Sequence, residues 1–154
     1  MTELNSSDTV LLAVNGTLMR GLELNGNLVA IGAEFVEETR TTPNYRLWSI
    51  QDRHPAMQRT QESGGGASVA VEIWSLPVSG LATLLQREPP GLCIGKVQLI
   101  DGRELLGVLG EARLCAGQRE ITTFGGWRAY AAHGGAATTV LAIKADAASR
   151  ELRA

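Results

Sequence analysis

The segment most able to do chemistry is VNGTLMRG, at residues 14–21, which directly follows the apolar run of residues 10–14. A strand that ends at an Asn-Gly turn exposes several backbone N–H groups at one place, and such a nest suits a carboxylate or another small oxyanion. An ordinary tight turn has the same two residues, and the Asn-Gly pair taken alone favours that simpler interpretation.

Two carboxylates are the candidate proton carriers. Glu72 lies within a predicted strand, on the same face as Trp74. A carboxylate on an apolar face must be paired, neutral or functional, whereas simple alternation would point Glu72 at water, and the sequence leaves both open. Glu88 ends a predicted helix just before two prolines, where the helix dipole opposes a negative charge. The plain alternative, which the pattern alone favours, is a solvated helix end.

Several cationic side chains suit an anionic ligand, because a guanidinium group matches the geometry of a carboxylate. The candidates, which also suit ordinary surface ion pairs, are Arg46, Arg113, Arg119 and Arg128. Neither His54 nor His133 has a second histidine or an acid at metal-ligand spacing. The glycine run at residues 64–66 lacks the Lys-Ser/Thr pair of a phosphate-binding loop. We therefore predict no metal and no cofactor.

Hydrophobic periodicity predicts the elements that position these groups. Strands are expected at residues 9–14, 34–50 with a bend near Pro43, 68–76, 95–100, 104–110 and 114–123. Helices are expected at residues 22–31 and 77–88, and residues 145–154 are expected to be a short helix or frayed. Residues 51–67 are polar and predict a mobile loop. The Asp101-Gly102 pair predicts the tight turn of an antiparallel hairpin.

Composition limits the class of protein. The chain has 154 residues, 44% hydrophobic and 19% charged, with a net charge of −2, which suits one domain with one core. The core is expected at about residues 9–131, with a tail at 138–154. No Lys/Arg cluster supports nucleic-acid binding. With no signal peptide, no membrane-length apolar run and thiols in apolar settings at Cys93 and Cys115, a cytoplasmic protein is expected.

Four segments, in the same order, resemble the C-terminal domain of allophanate hydrolase. They are GAEFVEETRTTPNYRLWSI at residues 32–50, VAVEIWSLP at 69–77, PPGLCIGKVQLIDGRELLGVLGEA at 89–112 and FGGWRAY at 124–130. That family is similar in fold to the gamma-glutamylcyclotransferases. The resemblance, together with the antiparallel signals, implies an α+β fold: a small, mixed, mainly antiparallel β-barrel with a few packed helices.

The resemblance gives the opening segment a role. NGTLMRG is similar to the Tyr-Gly-Thr/Ser loop of the cyclotransferases, whose backbone N–H groups hold the carboxylate of the substrate. The residues expected to bind an anion in this way are Asn15, Gly16, Thr17, Leu18 and Met19. Asn15 departs from the pattern, because the cyclotransferases have tyrosine there.

The resemblance also singles out Glu88, which lies fourteen residues after Trp74. At this spacing the cyclotransferases place a glutamate that acts as general base on the amine that closes a five-membered ring. Allophanate hydrolase C-terminal domains usually have an apolar residue there, so an acid present by chance is the alternative. Gly26 is a second departure, since the hydrolases often have a histidine near this place that is associated with catalysis.

Three functions remain open. The first is binding, with hydrolysis or decarboxylation, of a small carboxylate or ureido acid in nitrogen degradation. In this function, Glu88 or Glu72 would shuttle a proton. A separate amidase would supply the ureido acid, because this chain has no room for an amidase domain. The side chains expected to orient the ligand are Tyr45, Arg46, Arg128 and Tyr130.

The second function is a cyclotransferase-like reaction with Glu88 as general base, and it requires Glu88 to lie close to the loop at residues 15–19. The third is a non-catalytic accessory module of an amidase. A Glu88 side chain in bulk solvent would exclude the second, and the lack of a concave pocket beside the loop would weaken both enzymatic functions.

Overall fold

The computed structural model describes residues 8–61 and 64–134. Within them lie eight strands: β1 (Thr9–Val14), β2 (Glu34–Arg40), β3 (Tyr45–Ile50), β4 (His54–Arg59), β5 (Ala70–Pro77), β6 (Leu92–Gln98), β7 (Glu104–Gly110) and β8 (Arg119–Glu120). The helices are α1 (Asn25–Ala30), α2 (Val78–Arg87), α3 (Ala112–Cys115) and α4 (Trp127–Ala132), with a 3₁₀ turn at Thr122–Phe124. The tail predicted at residues 138–154 lies outside the described residues.

The strands form a five-stranded sheet in the order β2-β5-β1-β7-β6 and a three-stranded sheet in the order β4-β3-β8. β1 is central: it pairs antiparallel with β5 and parallel with β7. A strand with neighbours on both sides is buried along much of its length, which explains its continuous apolar run. The α+β class is confirmed. The two sheets are not joined into a closed barrel.

The main core receives residues from both sheets and three helices, and a small second cluster consists of Ile50, Ala56 and Cys115. The fully buried members of the main core include Leu12, Leu28, Leu47, Met57, Leu76, Leu84 and Tyr130. No helix within the described residues is long and apolar enough to cross a membrane.

Most predicted elements are confirmed, including β1, β5, α2 and the β6–β7 hairpin. The bend near Pro43 is the break between β2 and β3. The loop predicted at residues 51–67 is wrong in part, since β4 forms there and pairs with β3 from Ile50↔His54 to Tyr45↔Arg59. Polar residues and Pro55 concealed this strand. β4 is an edge strand, where a proline without an N–H is tolerated.

The strand predicted at residues 114–123 is also wrong in part. The chain forms α3, then the two-residue β8, then the 3₁₀ turn. Gly117 and Gly125 both have a φ of +75°. A left-handed residue at each place turns the chain, so no long strand can run through this region.

Candidate functional site

The segment after β1 forms one wall of a narrow cavity. Residues 15–18 line it together with Glu88 and His54, and the remaining wall is mostly apolar. The cavity measures about 10 Å³, which is close to the space needed by one water molecule. The structure therefore brings the predicted anion-binding loop and the predicted proton carrier to one place.

The loop is held by its own polar contacts. The Asn15 side-chain amide donates to the Val108 carbonyl at 2.9 Å, and the Leu24 N–H donates to the Thr17 carbonyl at 3.0 Å. The backbone N–H groups of Gly16, Thr17 and Leu18 make no hydrogen bond to any residue in the described part of the chain. They are three consecutive donors in a turn, and nests for anions are built from such consecutive N–H groups.

Gly16 allows the loop to approach β4 closely. A Cβ built on Gly16 would lie 2.5 Å from Cδ of Pro55, closer than any real side-chain contact. Only glycine fits here without movement of the chain. The tight contact brings the loop against the first residues of β4.

The position of Glu88 between α2 and Pro89 determines its backbone conformation. Its φ of −72° and ψ of 150° are extended, as the residue before a proline prefers. Oε1 of Glu88 is buried and has no hydrogen-bond partner in the described chain. Burial raises the pKa of Glu88 to about 7, because water is missing around the charged form. A carboxyl group of this kind can both donate and accept a proton near neutral pH.

A larger cleft of about 600 Å³ adjoins the Glu88 cavity. The two spaces share Thr17 and His54, and Pro89 lines the cleft where Glu88 lines the cavity. The other polar side chains of the cleft belong to Glu23, Gln51, Arg53, Arg113 and Gln118. A ligand in the cleft would therefore contact Thr17 and His54, two residues that also line the Glu88 cavity.

Glu72 lies elsewhere and has a different environment. Its buried carboxylate accepts hydrogen bonds from the Arg20 backbone, the Trp74 indole and the side chains of Arg20 and Arg128. Burial alone would raise the pKa of Glu72, but these bonds outweigh it and hold the pKa below its usual range. A carboxylate that stays ionised and fully bonded is suited to holding structure rather than to carrying protons.

Two further predicted ligand contacts lie with Glu72 rather than with Glu88. Met19 and Arg128 line a separate cleft of about 370 Å³ that also contains Glu72. Arg128 donates to Glu72 Oε2 at 3.2 Å and to the Arg20 carbonyl. The predicted site is therefore divided between two places.

The remaining predicted contacts line neither the Glu88 cavity nor its cleft. The buried Tyr45 hydroxyl accepts hydrogen bonds from Arg59 Nε and the Gln98 N–H, each at 3.0 Å. Arg46 lies on the three-stranded sheet, and its Nη1 is 3.7 Å from Oε1 of Glu120. Tyr130 is buried, and its hydroxyl donates to Asp52.

Sequence reasoning missed His54 as a lining residue. Neither a metal-ligand role nor a triad role is indicated for His54 by the sequence, where it lies in a polar segment, whereas the structure places it in the buried first part of β4. No group of three or more histidine, cysteine or acidic side chains in the described residues is placed to hold a metal ion.

The α+β fold of this chain is shared by solved proteins of low sequence identity. An AIG2-like protein from Mus musculus shares this fold at 21% identity and a TM-score of 0.53, over 71% of this chain and 80% of that one. Within this class, the chain belongs to the allophanate hydrolase C-terminal domain family, whose model matches residues 10–132. The resemblance seen in the four segments is confirmed.

Closer relatives agree with this assignment. A uropathogenic E. coli-specific protein of known structure is 60% identical, with a TM-score of 0.79 over 82% of this chain and 98% of that one. Allophanate hydrolase from Kluyveromyces lactis is 28% identical, with a TM-score of 0.77 over 82% of this chain and 21% of that one. Urea amidolyase from Saccharomyces cerevisiae is 29% identical over 80% of this chain, which spans only 7% of its length.

Proposed function

We propose that this domain binds a small carboxylate or ureido acid and promotes its hydrolysis or decarboxylation, with Glu88 as the proton carrier. The observation that carries the proposal is the buried Oε1 of Glu88, which has no partner in the described chain and lies on the cavity lined by residues 15–18. A buried polar atom without a partner is costly, so a ligand or water that bonds to it is favoured.

The loop and Glu88 have complementary tasks. The free N–H groups of Gly16, Thr17 and Leu18 supply donors for the anionic end of the ligand. A bound anion beside Glu88 favours the protonated carboxyl group, because two like charges repel at short range. Glu88 then begins the reaction as an acid and donates its proton to the group that leaves.

The names of the relatives suggest the substrate class. Allophanate hydrolase and urea amidolyase are named for allophanate, itself a ureido acid, and for urea. We propose a related ureido or carbamate acid for this chain, supplied by an amidase reaction. We place the reaction in the cytoplasm, where the free thiols of Cys93 and Cys115 would stay reduced.

A cyclotransferase-like reaction is the second candidate. It requires Glu88 beside the loop at residues 15–18, and the shared cavity supports it. Here the ionised form of Glu88 would take a proton from the α-amine as its nitrogen attacks the gamma-glutamyl carbonyl carbon of the same molecule. The gamma-glutamyl carbon–nitrogen bond then breaks, and Glu88 returns the proton to the amine that leaves. The two candidates differ in product, since hydrolysis releases ammonia, decarboxylation releases carbon dioxide, and the cyclotransferase-like reaction forms 5-oxoproline.

The test combines binding and product formation. Amide NMR spectra would be recorded while N-carbamoylglycine, allophanate, 5-oxoproline or a gamma-glutamyl amine is added, and each sample would be followed for ammonia and 5-oxoproline. We expect shifts at Gly16, Thr17 and Leu18 with the ureido acids, together with ammonia release. Glu88→Gln should lower that release by about 10²–10⁴-fold.

Glu104→Gln is the matched control, because it removes an exposed carboxylate that lines neither space. It should leave release unchanged. Formation of 5-oxoproline would favour the second candidate. A panel that produces neither amide shifts nor product would overturn both enzymatic proposals and favour an accessory module.

A further inference from the structure

His54 is a buried acid–base group that the mechanism above does not use. Its side chain lines the Glu88 cavity and also the 600 Å³ cleft. Thr17 and His54 are the two residues that line both spaces, so the ring lies beside Glu88 and also beside the larger cleft.

The hydrogen bonding of the ring fixes which nitrogen is available. Nδ1 of His54 lies 3.1 Å from the carbonyl oxygen of Pro55. A carbonyl oxygen only accepts hydrogen bonds, so Nδ1 must be the nitrogen that carries the proton in the neutral ring. Nε2 is then left with a lone pair, and it has no hydrogen-bond partner among the described residues. A neutral imidazole with a free Nε2 is a general base.

The turn before His54 is strained and anchored. Gln51 and Asp52 have φ values of 52° and 58°, a left-handed conformation that is unfavourable for side chains other than glycine. Asp52 is held by the Ser49 hydroxyl at 2.6 Å and by the Tyr130 hydroxyl. Strain of this kind persists only where surrounding contacts fix the backbone. Here the contacts of Asp52 fix the turn that leads into His54.

The charged groups around the ring come from several elements. Glu88, at the end of α2, lines the same cavity as His54. Glu23, Arg53 and Arg113 line the same cleft as His54. Among these groups, only Glu88 shares the enclosed space with His54, which makes it the natural partner for a proton exchange.

We propose that His54 is a second catalytic residue, the general base that activates water while Glu88 acts as the acid. This inference rests on the proposed hydrolysis of a ureido acid. The water oxygen forms a bond to the ureido carbonyl carbon and loses one proton to Nε2 of His54. The carbon–nitrogen bond then breaks, and Glu88 donates its proton to the leaving nitrogen, which departs as ammonia. A proton transfer from His54 to Glu88 restores both groups and leaves a carbamate product.

The first test uses the native chain, which has only two histidines. In protein labelled with ¹⁵N at histidine, His54 should show the Nδ1–H tautomer, and its ring signals should shift when N-carbamoylglycine is added. The exposed His133 is the internal control and should not respond. A dominant Nε2–H tautomer would overturn the proposal. So would a silent His54 ring in a sample where the Gly16 and Thr17 amides shift, although binding at the loop would then stand.

The second test measures ammonia release from N-carbamoylglycine against pH. The native rate should decline above about pH 7, where Glu88 loses its proton. His54→Gln should lower the rate by about 10²-fold or more and keep that decline. Glu88→Gln should instead remove the decline, and His133→Gln should change neither the rate nor its pH profile. A His54→Gln variant with the native rate would overturn the proposal. If the native protein shows no amide shifts with N-carbamoylglycine, the underlying function is overturned as well.

Discussion

The backbone N–H of Arg20 donates a hydrogen bond of 2.9 Å to Oε1 of Glu72. The Arg20 carbonyl accepts a hydrogen bond from Arg128, which also contacts Glu72 Oε2 at 3.2 Å. The backbone N–H and C=O of Arg20 are therefore both held by the ion pair between Glu72 on β5 and Arg128 on α4. Arg20 follows the loop at residues 15–19, so Glu72 anchors the far end of the anion-binding segment.

Replacing Glu72 tests this anchor. Glu72→Gln keeps the size of the side chain but removes the charge that two guanidinium groups face. We expect a loss of about 2–4 kcal/mol in the free energy of unfolding, measured by urea denaturation. Affinity for N-carbamoylglycine should also fall, because the end of the loop is released.

Glu38→Gln is the control for that change. It removes only an exposed ion pair with Arg20, and exposed pairs contribute at most about 1 kcal/mol. Equal losses in the two variants would show that Glu72 has no special anchoring role.

The raised pKa of Glu88 predicts that the free energy of unfolding falls as pH rises. The folded protein keeps the Glu88 proton up to about pH 7, whereas the unfolded chain releases it near the ordinary value of 4.5. Between these values the folded state binds more protons, so the free energy of unfolding falls as pH rises. Glu88→Gln lacks this effect and should gain stability relative to the native chain across that range, by at most about 3 kcal/mol.

The measurement is a set of urea denaturation curves from pH 4.5 to 8 for both proteins. Comparing the two removes contributions from all other titrating groups. A difference between native and Glu88→Gln stability that stays constant with pH would contradict a buried carboxyl group at this place.

Gly16 gives a prediction about close packing. Gly16→Ala places a methyl group against the Pro55 ring, so the loop or β4 must shift, at a cost of about 1–3 kcal/mol. Because the loop moves, Gly16→Ala should also bind N-carbamoylglycine more weakly, as measured by amide shifts. The double variant with Pro55→Ala removes the clashing ring atoms and should recover part of both losses.

Gly26→Ala is the matched control. It lies in α1 with nothing within 4 Å of the added methyl group, so it should be neutral or stabilise by about 0.5–1 kcal/mol. If Gly16→Ala behaves like Gly26→Ala, the close approach to Pro55 does not matter for the loop.

Local signals in the sequence located two of the segments that line the Glu88 cavity. The Asn-Gly turn after an apolar run located the loop, and the two prolines after a helical pattern located the end of α2 within one residue, although Glu88 itself is extended rather than helical. Both are short-range effects, because turn chemistry and the residue before a proline are decided by immediate neighbours.

Long-range contacts were beyond the sequence. Nothing near Glu72 indicates that Arg20 and Arg128 will close around it from 52 and 56 residues away. β4 was hidden because its pairing with β3 depends on burial against the rest of the fold, not on its own propensity. His54 was missed with that strand, and the partners of Tyr45 and Tyr130 were missed for the same reason.

The two buried tyrosines give the last prediction, because their hydroxyl groups hold different parts of the fold. Tyr130→Phe keeps the ring contact with Phe124, whose centroid is 5.2 Å away, but removes the donor to Asp52 in the strained turn before His54. Tyr45→Phe instead leaves Arg59 Nε and the Gln98 N–H without their acceptor. Each variant should lose about 1–3 kcal/mol in urea denaturation. Only Tyr130→Phe should weaken the response of the His54 ring to N-carbamoylglycine, because the turn that positions this ring loses its anchor. An equal weakening in Tyr45→Phe would mean that general destabilisation, rather than the Asp52 contact, controls the position of His54.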